Sequence, residues 1–137
     1  MIRRVSCLGI DMARGCRDIA GVFGYENTLT DWAAVKYRVE SGLSVMFVCQ
    51  YVNGEVKGFL VGTDRGNNTE VEALFVNNDL HRRGIGTALL MAYENYCVEM
   101  GVKKIKLVPR ETKQARAFYA KHGYVWSGWG RMLQKTL

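Results

Sequence analysis

The chain has 137 residues, 48% of them apolar and 23% charged, with 15 Gly and one Pro. That is the size and balance of one globular domain, expected over residues 1–137, and it excludes collagen-like and proline-rich sequences. The net charge is +6, unevenly spread: residues 1–70 carry eight basic and eight acidic side chains, residues 71–137 eleven and five. The second half therefore carries either an ordinary solvated basic surface or a site for a polyanion or a phosphate-bearing ligand.

No run of about eighteen apolar residues exists to cross a membrane, and no apolar stretch with a cleavage site follows the N-terminus. Cys7, Cys16, Cys49 and Cys97 form no CxxC pair and no metal-ligand spacing. Reduced thiols in a cytoplasmic protein without a metal are the expectation.

The first half opens with a short strand over Ile2–Cys7. Asp11 caps a helix through Ala13, Cys16, Ile19, Ala20 and Phe23, stopped by Gly24. Thr30 or Asp31 caps a second helix holding Trp32, Val35 and Val39, stopped by Gly42. The period then changes from helical to alternating. Ser44–Tyr51 is rich in β-branched and aromatic residues, Asn53-Gly54 is a hairpin signal, and Val56–Val61 follows. A second Gly/Asn turn leads into Thr69–Val76, which makes three consecutive antiparallel strands.

Beyond the polar stretch Asn77–Arg83, Ile85, Ala88, Leu89, Ala92, Tyr96 and Met100 recur at helical intervals until Gly101. Lys104–Val108 reads as a buried strand closed by Pro109. Thr112 caps a further helix with Ala115, Phe118, Tyr119 and His122 on one side and Gly123 as its stop. Two short strands, Tyr124–Gly128 and Arg131–Lys135, finish the chain. The expected class is α+β.

Strand, glycine loop and long helix together aim first-turn amides and the positive end of a helix at one point. Such a point binds anions. Gly84 and Gly86 let a phosphate approach the backbone, and Arg82 and Arg83 add charge beside them. The loop is neither a Walker-type phosphate loop, since no Gly-Lys-Ser/Thr follows, nor a dinucleotide fingerprint, since Leu89 stands where a third glycine is required.

The run from Leu74-Phe75-Val76 to His81-Arg82-Arg83-Gly84-Ile85-Gly86-Thr87-Ala88-Leu89-Leu90 resembles motif A of the GNAT superfamily of N-acetyltransferases, whose signature is Gln/Arg-x-x-Gly-x-Gly/Ala. His81 departs from its first position. Ala115–Tyr124 resembles the family's Ala-x-x-Phe/Leu-Tyr-x-x-x-Gly-Phe segment, with Thr112 where the family often has Asn. The resemblance is strong over residues 69–125 and weak before residue 44, where these enzymes build their acceptor sites.

What the resemblance implies is a mixed, mostly antiparallel sheet flanked by helices, with a V-shaped split between strands 4 and 5 opened by a bulge in strand 4. It implies direct attack of an amine on the thioester of acetyl-CoA within a ternary complex. By the same resemblance, the backbone of Leu74, Phe75 and Val76 pairs with pantetheine, and the Val76 N–H polarises the thioester carbonyl. Arg82, Arg83, Gly84, Ile85, Gly86 and Thr87 hold the pyrophosphate, and Thr112 and Tyr119 complete the cofactor contacts. Tyr119 matches the family's acid for the departing thiolate, a role its ordinary pKa suits.

The base stays open among Glu70, Glu72 and ordered water. Glu70 matches the base of histone-type members, and Glu72 shares its strand face nearer the bulge. Leu107 stands where enzymes of ribosomal N-termini carry a catalytic Glu, which disfavours that subfamily. Phe23, Tyr25, Trp32, Trp126 and Trp129 are either acceptor-pocket aromatics or packing.

The expected function is acetyl transfer to a primary amine of a small molecule or protein. The alternatives are a toxin-like acetylation of aminoacyl-tRNA and a non-catalytic acyl-CoA-binding module. The partners are acetyl-CoA and an amine acceptor; membrane and nucleic acid are disfavoured, and a homodimer stays open.

Overall fold

The computed structural model describes residues 2–22, 32–65, 68–77 and 84–137. Its elements are β1 (Ile2–Val5), α1 (Ile10–Val22), α2 (Trp32–Glu40), β2 (Ser44–Gln50), β3 (Val56–Arg65), β4 (Asn68–Val76), α3 (Ile85–Glu99), β5 (Lys104–Leu107), α4 (Lys113–Lys121), β6 (Val125–Trp126) and β7 (Leu133–Thr136). The seven strands form one sheet in the order β1-β2-β3-β4-β5-β7-β6. Every neighbouring pair is antiparallel except β4–β5.

Local chemistry accounts for most of the joints. Between β2 and β3, Gly54 takes φ 89° and the Glu55 N–H donates to Asn53 Oδ1 at 3.0 Å, an Asx-type turn. At the end of α3, Gly101 is at φ 76° and the Val102 N–H reaches back to the Cys97 carbonyl at 2.9 Å. The Thr112 hydroxyl accepts from the Ala115 N–H at 3.0 Å and caps α4.

Two expectations are corrected. α1 starts at Ile10, with the Ala13 N–H bonded to the Gly9 carbonyl at 3.0 Å, so Asp11 lies inside the first turn instead of capping it. The final hairpin is shorter than Tyr124–Gly128 and Arg131–Lys135, because Gly128 and Gly130 both take positive φ and turn the chain out of the ladder. The proposed stop at Gly24 and the caps Thr30 and Asp31 lie outside the described residues.

Two cores sandwich the sheet. On one face Cys16, Ile19 and Ala20 of α1 and Val35 and Val39 of α2 cover Met46, Val48, Phe59, Val61, Ala73 and Phe75. On the other, α3 and Tyr119 of α4 cover Phe47, Leu60, Val71, Ile105 and Leu107. Leu89 and Leu90 are fully buried there, each worth about 1.5–3 kcal/mol of removed apolar surface.

β4 does not keep one alternation. Opposite β3, Val61 meets Ala73 but Gly62 meets Val71, so Glu72 is an extra residue, a β-bulge. Val71 therefore packs with α3, whereas Ala73 and Phe75 pack with α1 and α2; Leu74 and Val76 return to the α3 side. Gly62 has a separate reason to be glycine. A Cβ there would overlap the ring of Tyr93, whose hydroxyl bonds Thr69 on β4.

Candidate functional site

The bulge stands where the sheet opens. β5 pairs with β4 only from Asn68 to Val71, and β5 ends at Leu107 while β4 runs five residues further, to Val76. The Asn77 N–H donates to the Lys57 carbonyl at 2.8 Å. Antiparallel alternation then directs the N–H and C=O of Leu74 and Val76 away from β3, toward the side of β5. Phe75 has the opposite parity: its backbone turns to β3 and its ring into the α1–α2 core.

Helix α3 begins beside this strand end. Gly84 occupies its N-cap position at φ 78°, in the left-handed region, and, among the described residues, no side chain caps the first turn. The first α-helical bond of this turn runs from the Ala88 N–H to the Gly84 carbonyl at 2.9 Å. The amides of Ile85, Gly86 and Thr87 come before it, in the turn that has no intrahelical acceptors. Ile85 buries its side chain, Gly84 is exposed, and a Cβ on Gly84 would meet nothing within 4 Å. His81, Arg82 and Arg83 lie outside the described residues.

α4 closes the third side. A Cβ on Gly86 would stand 3.4 Å from the Phe118 ring and 3.6 Å from Val76 Cγ2, so the end of β4, the start of α3 and the middle of α4 converge. Thr87 Oγ1 and His122 Nε2 are 3.0 Å apart, which ties the first turn of α3 to the last of α4. Burial lowers the His122 pKa, with Lys121 and Lys135 adding to the effect and Glu94 opposing it. The His122 ring also lies 4.8 Å from that of Phe118.

Tyr119 is the buried residue of α4, 9% exposed, and its ring meets those of Phe118 and Tyr124 edge-on at 5.1 and 5.7 Å. Burial pushes its phenol up to about 12. Behind it, the Tyr124 hydroxyl donates to Glu94 Oε2 at 2.8 Å. Lys135 Nζ reaches both Glu94 oxygens at 3.2 Å. Burial, followed by the Glu94 contact, raises the Tyr124 phenol as well. This cluster fixes the wall against which Tyr119 rests.

The carboxylates divide. Glu70 is half-buried, with Thr63 and Lys106 as its cross-strand neighbours. Glu72 is held by Arg38 of α2, whose Nη2 donates to Glu72 Oε2 at 3.0 Å. Arg38 Nε also donates to Ser44 Oγ at 3.3 Å, and Ser44 Oγ stands 3.4 Å from Thr63 Oγ1. Both glutamates share one face of β4, as expected; that face is the α1–α2 side, and the bulge puts Ala73 on it with them.

The Thr112 hydroxyl accepts the Ala115 N–H and so caps α4. Among the aromatics, Trp32 packs edge-on against Phe59 at 5.8 Å in the core, whereas Trp126 and Trp129 are 66% and 78% exposed. Phe23 and Tyr25 lie outside the described residues. A separate cleft of about 210 Å³, lined by residues that include Leu8, Arg14, Arg17, Trp32 and Lys36, contains none of the expected cofactor residues.

Arg38, His122 and the Glu94–Tyr124–Lys135 cluster were not named as site residues by sequence reasoning. His122 carried a signal, standing on the Phe118–Tyr119 side of its helix. Arg38 carried none, since its partner is 34 residues away on another element.

Comparison with known proteins agrees with this geometry. An uncharacterised N-acetyltransferase of Methanocaldococcus jannaschii is 34% identical over 101 residues, 65% of this chain and 44% of that protein. An acetyltransferase of Pectobacterium atrosepticum is 34% identical over 70 residues, 51% of this chain and 50% of that one. The chain thus matches half or less of the length of these curated relatives. The crystal structure of PaiA N-acetyltransferase from Thermoplasma acidophilum in complex with coenzyme A shares the fold with a TM-score of 0.77. It is 21% identical, and the likeness covers 100% of this chain and 99% of that one. Residues 17–124 match the model of the acetyltransferase (GNAT) family, and the chain belongs to that family.

Proposed function

We propose that the protein transfers an acetyl group from acetyl-CoA to a primary amine by direct attack in a ternary complex. The observation that carries this reading is the meeting of the β4 bulge, the end of β4–β5 pairing and the uncapped first turn of α3. Membership of the family supports the reaction class, and the coenzyme A bound to the Thermoplasma enzyme supports the co-substrate.

In this reading pantetheine adds to β4 as a short strand, using the outward N–H and C=O groups of Leu74 and Val76, with Phe75 holding β4 in the sheet. The Val76 N–H polarises the thioester carbonyl. Withdrawing one such donor typically costs about 3–4 kcal/mol in a dry site. The amides of Gly84, Ile85, Gly86 and Thr87 receive the pyrophosphate at the positive end of α3, with Arg82 and Arg83 supplying charge. Thr112 acts through α4, by fixing the helix that carries Tyr119.

The acceptor ammonium loses one proton to Glu72, Glu70 or water, the neutral amine attacks the carbonyl carbon, and the C–S bond breaks while the second proton of the nitrogen ends on the sulfur. Tyr119 donates to the departing sulfur.

The test is binding and turnover together. Calorimetry with acetyl-CoA is expected to give micromolar-range affinity and a raised Tm. Thiol release from acetyl-CoA is expected with at least one member of a broad amine panel. Absence of acetyl-CoA binding, or binding with no amine-dependent thiol release, refutes the reading.

A further inference from the structure

The Arg38–Glu72 pair stands at the bulge, one residue beyond the last β4–β5 pair, on the face covered by α1 and α2. Both side chains are about one-third exposed, Arg38 at 30% and Glu72 at 28%, so solvent and small solutes reach them. Arg38 has a second anchor in Ser44, which in turn touches Thr63. The guanidinium therefore keeps one hydrogen bond when Glu72 changes partner.

From this arrangement we propose that the acceptor is a free α-amino acid, bound as a zwitterion by exchange into the Arg38–Glu72 pair. The inference rests on the acetyl-transfer reading above and specifies its substrate class. A simple amine would arrive as a lone cation. Taking Glu72 for itself, it would displace Arg38 from the carboxylate and offer the guanidinium no new anion. An α-amino acid brings both charges on one carbon. Its carboxylate takes the guanidinium fork while its ammonium takes the Glu72 carboxylate, so one ion pair becomes two and no charge is orphaned.

The exchange also readies the base. While Glu72 Oε2 accepts from Arg38 Nη2, the guanidinium occupies the oxygen that a substrate ammonium would use. Once the substrate carboxylate has replaced it on Arg38, Glu72 accepts a proton from the ammonium: an N–H bond breaks and an O–H bond forms on Glu72. The freed nitrogen lone pair then makes the N–C bond, the C–S bond breaks with its electron pair on sulfur, and the second proton of the nitrogen ends on that thiolate, leaving an amide and a free thiol. Arg38 selects the acceptor, and Glu72 acts only when an acceptor with a carboxylate is in place.

Two measurements test this. The first compares the twenty standard L-amino acids with their α-amides in thiol release from acetyl-CoA. The second measures calorimetric binding of the same pairs to the protein saturated with coenzyme A. At least one acid is expected to exceed its amide by roughly 10- to 100-fold in kcat/KM and in affinity, the range of a charge-assisted hydrogen bond. In Arg38→Leu that ratio falls to near one. Arg38→Lys, which keeps the charge but not the fork, gives an intermediate ratio and serves if the leucine variant does not fold. Equal use of acids and amides, or a preference that survives in both Arg38 variants, overturns the inference while leaving acetyl transfer intact. Failure of every amine to release thiol refutes the acetyl-transfer reading, and the inference with it.

Discussion

Replacing Tyr119 by Phe removes one hydroxyl and keeps the ring between Phe118 and Tyr124. The hydroxyl makes no hydrogen bond to a described residue, so stability is expected to change by less than about 1 kcal/mol. The size of the catalytic loss follows from the burial. With its pKa near 12, Tyr119 stands some way above an ordinary thiol at about 8.5, and each unit of mismatch costs about 1.4 kcal/mol on complete proton transfer. Transfer from the buried phenol to an ordinary thiolate is therefore uphill. What the phenol can supply is a charge-assisted hydrogen bond to the developing thiolate, worth about 1.5–3 kcal/mol.

The expected fall in kcat is thus about 10- to 100-fold, at or below the lower end of general acid effects. The assay is thiol release at saturating acetyl-CoA and acceptor, beside calorimetric affinity for acetyl-CoA, which should stay within a few-fold. The same burial has a sign in pH. Unfolded Tyr ionises near 10, while folded Tyr119 stays neutral up to about 12. Its contribution to stability is complete below pH 10 and is lost as pH rises from 10 toward 12. Tyr119→Phe flattens that alkaline loss. An unchanged kcat with chemistry rate-limiting refutes the role. An alkaline limb near pH 9–10 that vanishes in Tyr119→Phe refutes the argument from burial.

Gly84→Ala is expected to cost about 1–2 kcal/mol from its positive φ alone, because its Cβ meets nothing. Gly84→Val should in addition abolish the rise in Tm on adding acetyl-CoA; an unaltered rise would remove the loop from the binding site. Gly62→Ala forces a methyl into the Tyr93 ring and should destabilise by at least about 1–3 kcal/mol in urea titration. A near-neutral result would mean that Tyr93 does not pack there. Glu94→Gln leaves Lys135 in a half-buried site without its counter-charge and should cost about 2–3 kcal/mol, below the fully buried case. Adding Lys135→Met should recover most of that loss, and additive losses would contradict the pairing.

The sequence by itself determined what is local. Asn53-Gly54 makes a turn because its own side chain and backbone close it. Thr112 caps the helix that starts one residue later, and Gly101 and Gly123 end helices through positive φ. These are short-range effects, and the order of strands and helices came with them. The glycine spacing at Gly84 and Gly86 was legible for the same reason: the first turn of a helix follows its own loop.

Tertiary structure decided what needs two distant segments. The resemblance implied a bulge in strand 4, but its place at Glu72 is a matter of register against β3, which a distant segment supplies. Arg38 with Glu72, Thr87 with His122, and Glu94 with Tyr124 and Lys135 join residues 30 to 41 positions apart. A charge or hydroxyl has no periodicity to betray its partner, and only the packed sheet brings the two into reach. The raised pKa of Tyr119 belongs to the same class, since desolvation is a property of the surroundings and not of the residue.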